Sequence, residues 1–273
     1  MSIFKFDEPV DLSKHMLATY QTLRIVLFII ALTFPLVLWL GGKVSTHRLG
    51  LQGSMSAYYH ANKDSEREFA TREPGACKPE GTQDCVRLDS GRGVMRNWFV
   101  GVLFIISAML VVYKGYRPAE DVALNFAGVF AVLVAIFPMA WDGPGLPLHG
   151  IFAFAFFIAI AYVCIFCASA TLPLVKEEKR ARYRRWYKLL GYLMVVSPVL
   201  ASILTFVLNS RSSFFFFAET LGVYAFAAYW LVKTLEIRET EADRLAAIGR
   251  LQSPASTGPM DAVRELPVTK TKE

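Results

Sequence analysis

Six apolar runs, each close to the length that about 30 Å of hydrocarbon demands, constrain this chain more than any other feature. They fall near residues 25–42, 97–115, 122–140, 149–172, 188–208 and 213–234. The runs are apolar all round, without the polar stripe of a surface helix, and they lack the period-two alternation of a membrane barrel. Inside lipid a helix satisfies its own backbone groups, so the expected fold is all-α: a polytopic membrane protein with a six-transmembrane-helix bundle. Composition agrees, with 54% hydrophobic and only 19% charged residues among 273, a balance foreign to soluble domains.

Basic residues orient the spans. The link 176–188 is dense in Lys and Arg, and the link between the second and third runs holds Lys114 and Arg117. The turn 141–149 has no Lys or Arg. Both termini and both basic links are therefore expected in the cytoplasm, and residues 43–96 outside, as an extracytoplasmic loop lid. The formal charge of +6 reads as topology and attraction to anionic lipid rather than nucleic-acid binding. No basic stripe interleaved with stacking aromatics lies outside the membrane boundaries. The first run has no small-residue cleavage site after it and reads as a retained signal anchor in a plasma (inner) membrane, of bacterial type. Residues 251–273, polar and punctuated by Pro, read as a disordered cytoplasmic tail.

Cysteines fit the same orientation. Cys77 and Cys85 flank a short stretch with Pro and Gly in the outer loop, where an oxidising compartment favours a disulfide. Cys164 and Cys167 lie one helical turn apart inside the fourth run and read as small packing residues.

Candidate chemistry gathers on the outer side. His47 and His60 lie in the first loop, Asp142 ends the third run and His149 opens the fourth. Glu219 is a carboxylate inside a span, about 7.5 Å of helix rise below its outer end. In "GSMSAYYH", residues 53–60, Ser56 stands four positions before His60. Ionisable groups at this depth are costly and face a cavity or a partner. Imidazoles with a carboxylate suit Zn, which makes hydroxide available near neutral pH. His60, His149 and His47 would then ligate metal, while Glu219, Asp142 and Ser56 would serve catalysis. A simpler reading has His149 and Asp142 capping helix ends, Glu219 pairing with Arg96 or Arg211, and Tyr58 and Tyr59 on a short amphipathic helix resting at the outer membrane surface.

Ser56, His60, Asp142 and His149 together resemble the pattern of the CREST superfamily, membrane hydrolases and receptors that include alkaline ceramidases. The resemblance rests on these residues alone, and Ala153 stands where the family's second histidine of an H-x-x-x-H pair belongs. It implies a zinc site for amide hydrolysis, with Ser56 and His60 as the serine–histidine pair, Asp142 as the aspartate and His149 as a later histidine. The expected description is an integral membrane protein of unassigned activity with an outward-facing polar or metal site. Its candidate activity is metal-dependent hydrolysis of a lipid amide or ester, with membrane lipids as partners and candidate substrate. The alternatives are a lipid-binding or assembly factor, and a small-molecule or ion transporter that uses Glu219.

Overall fold

Long apolar runs become long helices here because nothing in them competes for the backbone. The computed structural model describes residues 12–44, 51–59, 94–137, 148–208 and 214–247. All regular structure among them is helical: α1 (Leu12–Val44), α2 (Val94–Val112), α3 (Pro118–Ile136), α4 (Leu148–Tyr162), α5 (Glu177–Leu208), α6 (Phe214–Thr240) and the short α7 (Ala242–Ala247). One 3-10 turn, Ser56–Tyr59, lies between α1 and α2. α4 runs on through a π turn, Val163–Cys167, and a 3-10 stretch, Ala168–Leu174. Among the described residues five helices are long and apolar enough to cross a membrane: His15–Val44, Val94–Val112, Pro118–Ile136, Leu148–Leu174 and Phe215–Thr240. The chain is a multi-pass membrane protein.

The boundaries have local causes. α3 begins at Pro118, before the apolar run, because Pro suits the first helical position and Glu120 and Asp121 complement the positive end of the helix dipole. α5 takes residues 177–188 of the basic link into its first turns. Arg180 folds back onto the carbonyls of Leu172 and Pro173, at 3.1 Å each, and closes the end of the α4 rod.

Each helix packs against its neighbours in sequence, and α6 closes the ring against α1. Large apolar side chains such as Phe126, Phe166 and Ile203 stay more than half exposed on the outer surface, as lipid-facing positions do. The interior holds Leu27, Leu124, Ile160, Met194, Phe226 and Trp230. Without a hydrophobic drive between helices in lipid, close approach supplies the packing. Ser107 Oγ donates to the Gly128 carbonyl at 2.8 Å, and a Cβ at Gly128 would stand 2.7 Å from Val111. At Gly191 an added Cβ would lie 2.6 Å from Ile165 in the π turn. Cys164 and Cys167, on that turn, are free and buried.

Candidate functional site

A second, smaller core sits at the end of the bundle where α2, α4 and α6 begin and α3 ends. It joins Phe34, Leu38, Met55, Tyr58, Met95, Phe99, Val134 and Phe216. The 51–59 segment enters this core instead of resting on the surface as an amphipathic helix. Ser54, Met55, Ser56, Ala57 and Tyr58 are all buried. The reason is long-range pairing. The Phe216 N–H, free at the start of α6, donates to the Gly53 carbonyl at 2.9 Å. Tyr58 packs its ring against Phe216.

Glu219 holds the segment from the same helix. Its Oε2 accepts from Ser54 Oγ at 2.8 Å and from the Met55 N–H at 2.6 Å. Arg96, one partner expected for it, instead lies over the Tyr59 ring at 4.8 Å. Arg211, the other, lies outside the described residues. A carboxylate that accepts a backbone N–H and a hydroxyl inside an apolar core acts as a fastener. Glu219→Gln keeps an acceptor oxygen, and we expect the segment to stay in place. Glu219→Leu leaves two buried donors unmatched, at about 1–3 kcal/mol each, and releases it. A cysteine placed at Ala57 reports this by maleimide labelling: slow in wild type and Gln, fast in Leu. Equal labelling in all three would refute the fastening role.

Ser56 and His149 meet across the segment. Ser56 Oγ stands 2.7 Å from His149 Nε2, both residues buried. His149 Nδ1 faces the carbonyl oxygens of Phe137 at 2.7 Å and Val134 at 3.1 Å. Carbonyls only accept, so Nδ1 carries the proton and a neutral ring presents Nε2 as acceptor to the Ser56 hydroxyl. Those carbonyls belong to the end of α3, Val134 in its last turn and Phe137 at its C-cap. Phe99 stacks beside the imidazole, centroids 6.4 Å apart. The pair is thus a serine hydroxyl aimed at an oriented base.

No protein-family model matches the chain, nor does any curated protein or solved structure. The site is therefore read from its own atoms. Of the sequence-predicted residues, Ser56, His149 and Glu219 share one end of the bundle, bridged by residues 54–56. His47, His60 and Asp142 lie outside the described residues, as do Cys77 and Cys85. Among the described residues no three His, Cys, Asp or Glu side chains converge as a metal site. His149 gives Nδ1–H to carbonyls as a metal-bound imidazole commonly does, but its Nε2 meets Ser56 Oγ at 2.7 Å, so metal there would have to take the place of that hydroxyl. Glu219 Oε2 is engaged twice, by Ser54 Oγ and the Met55 N–H.

A second polar cluster, at the opposite end, is absent from the sequence reading. Lys233 and Glu236 are fully buried and bridge at 3.2 Å. Lys233 Nζ also donates to Thr171 Oγ1 at 2.8 Å, and Glu236 accepts from Thr171 at 2.5 Å and from the Tyr187 hydroxyl. Beside them Arg24, 1% exposed, pairs with Asp243 at 2.5 Å, and Tyr116 donates to the same carboxylate. Burial first, then Tyr113 and Asp243, push the Tyr116 hydroxyl well up, so it remains a donor. The chain reaches Asp243 by reversing at Glu241, the non-glycine residue with positive φ, 50°, among those described. The one signal in the sequence is Lys233 and Glu236 three positions apart at the end of an apolar run, a spacing that also suits an exposed pair.

Proposed function

We propose that this protein is a membrane-embedded hydrolase of lipid esters or amides, working at the outer face through Ser56 and His149. The observation that carries the reading is the 2.7 Å approach of Ser56 Oγ to His149 Nε2, with Nδ1 anchored on the end of α3. Nucleophile and base within hydrogen-bond reach, with the base oriented by a third group, is the arrangement acyl transfer needs. Ser56 Oγ attacks the carbonyl carbon as its proton passes to His149 Nε2. The imidazolium is held by the Phe137 and Val134 carbonyls. The ester or amide bond then breaks, His149 protonates the leaving oxygen or nitrogen, and water repeats the sequence on the acyl-serine to release the acid.

The CREST resemblance implies zinc at His149 and His60 with Asp142 beside them, and the histidines read by themselves add His47 as a ligand; such a zinc would supply a hydroxide nucleophile. The transporter and assembly-factor readings draw on Glu219 and on the buried segment. Glu219 serves that segment as fastener, which favours a structural over a carrier role for its carboxylate.

The proposed topology has six spans. α5 qualifies as the sixth because its 32 residues become apolar after Lys188. The Lys/Arg asymmetry places the termini and the 176–188 region in the cytoplasm of a plasma membrane, and residues 43–96 outside. Purified protein should form a fluorophosphonate adduct mapped to Ser56 by mass spectrometry, and zinc should be assayed on the same sample. A cysteine introduced at position 182 should resist labelling from outside intact cells. No adduct and no turnover over a panel of lipid esters and amides would sink the hydrolase reading, and outside labelling at 182 would invert the topology.

A further inference from the structure

Beside the Ser56–His149 pair, on the lipid-facing side of α2 and α3, runs a groove of about 560 Å3 lined by Tyr59, Arg96, Gly101, Phe104 and Ile136, among others. Its polarity is graded along its length. Arg96 and Asn97 sit in the first turns of α2, level with Tyr59. Phe104 lies eight residues further on, about 12 Å along the helix axis. Phe104 is 44% exposed and Ile136 53% exposed, so apolar surface continues down the wall.

Two details make this more than ordinary lipid-facing surface. The first is Arg96. Among the described residues its contact is the Tyr59 ring, 4.8 Å away, and no carboxylate pairs with it. A guanidinium stacked on an aromatic ring keeps its N–H edge available to a phosphate, which it can hold through two parallel hydrogen bonds. The second is Gly101, where an added Cβ would meet no atom within 4 Å. The trough floor is bare backbone beneath open space, where a chain of methylenes can lie close.

The groove and the pair also share walls. Tyr59 closes the 3-10 turn that Ser56 opens. Ala135 and Ile136 lie between the two residues whose carbonyls hold His149. Phe99 faces His149 on one side and Tyr59, centroids 6.5 Å apart, on the other. An amphiphile with its anionic head on Arg96 and its tail over Gly101 would carry its carbonyl region, a few bonds from the phosphate, alongside this wall.

We propose that the groove binds one anionic glycerophospholipid, phosphate on Arg96 and one acyl chain along Gly101 and Phe104, and that this lipid's acyl ester is the bond cleaved. The last clause rests on the hydrolase reading above; the binding does not.

The test uses the full chain, purified with phosphatidylglycerol or phosphatidylcholine and followed by native mass spectrometry through detergent exchange. Wild type should retain one phosphatidylglycerol at least about tenfold better than phosphatidylcholine, the scale of a charge-assisted hydrogen-bonded contact. Arg96→Gln should erase that preference. Gly101→Leu, which fills the trough without a backbone clash, should lower retention of both lipids. Equal retention of the two lipids by wild type, or an unchanged preference in Arg96→Gln, would reduce the groove to ordinary annular lipid and overturn the proposal. Turnover separates the two readings. Selective retention without any ester cleavage or Ser56 adduct leaves the lipid site standing and removes the hydrolase. Cleavage at an unchanged rate in both variants keeps the hydrolase and removes this substrate.

Discussion

Alanine at Ser56 or at His149 should each lower lipid ester cleavage by about 10²–10⁴-fold, the range that a positioned base contributes. The double substitution should cost little more than either single one, because groups acting as a unit lose their effect together. Both changes also have a structural component. Ser56→Ala leaves His149 Nε2 without its 2.7 Å partner, and His149→Ala leaves the Phe137 and Val134 carbonyl oxygens without their imidazole donor. Each such loss destabilises by about 1–3 kcal/mol, so activity must be normalised to folded protein by size-exclusion profile. Serine-probe labelling separates the two components. His149→Ala should leave Ser56 present but unreactive, since its hydroxyl has lost the base. Turnover of folded Ser56→Ala within roughly twofold of wild type would dispose of the nucleophile assignment.

The largest stability effect is expected at the other end. Lys233→Met leaves Glu236, fully buried, with its negative charge but without its 3.2 Å cation. Breaking a buried pair from one side typically costs about 3–5 kcal/mol, and unfolding in detergent, followed by helix content, should show it. Lys233→Met combined with Glu236→Gln removes the stranded charge and should recover part of the loss, with a coupling of about 0.5–3 kcal/mol. A single Lys233→Met variant that unfolds within about 1 kcal/mol of wild type would mean that the pair contributes little.

The contrast between the two ends explains what a sequence of this kind discloses. Apolar length and all-round hydrophobicity follow from lipid as solvent, so the all-helical class and the presence of helices long enough to cross a membrane were readable. The first such helix begins at His15, ten residues before the apolar run expected from 25. Ser56, His149 and Glu219 were also readable as neighbours, because each lies near a span end on the same side. Their roles were not. Glu219 is oriented by Ser54 and Met55, about 165 positions earlier in the chain, and local pattern says nothing about a partner so distant. The same holds for residues 51–59: spacing suggests an amphipathic surface helix, while the Gly53 carbonyl and the Phe216 N–H draw the segment inward. Lys233, Glu236 and Arg24 look like charges at span edges. Only tertiary packing, with Thr171, Tyr187 and Asp243 supplying polar atoms from three other parts of the chain, makes their burial tolerable.

Glu219 and Lys233 belong to one uninterrupted helix, α6, fourteen residues and about 21 Å apart along its axis. A helix resists compression far better than its side chains resist repacking, so α6 acts as a push-rod. Sliding it by one ångström at the Lys233 end carries Glu219, and with it the purchase on Ser54 and Met55, by the same ångström. Lys233 with its buried partner Glu236, and Glu219 with its hold on the segment that carries Ser56, are thus tied to the same rod.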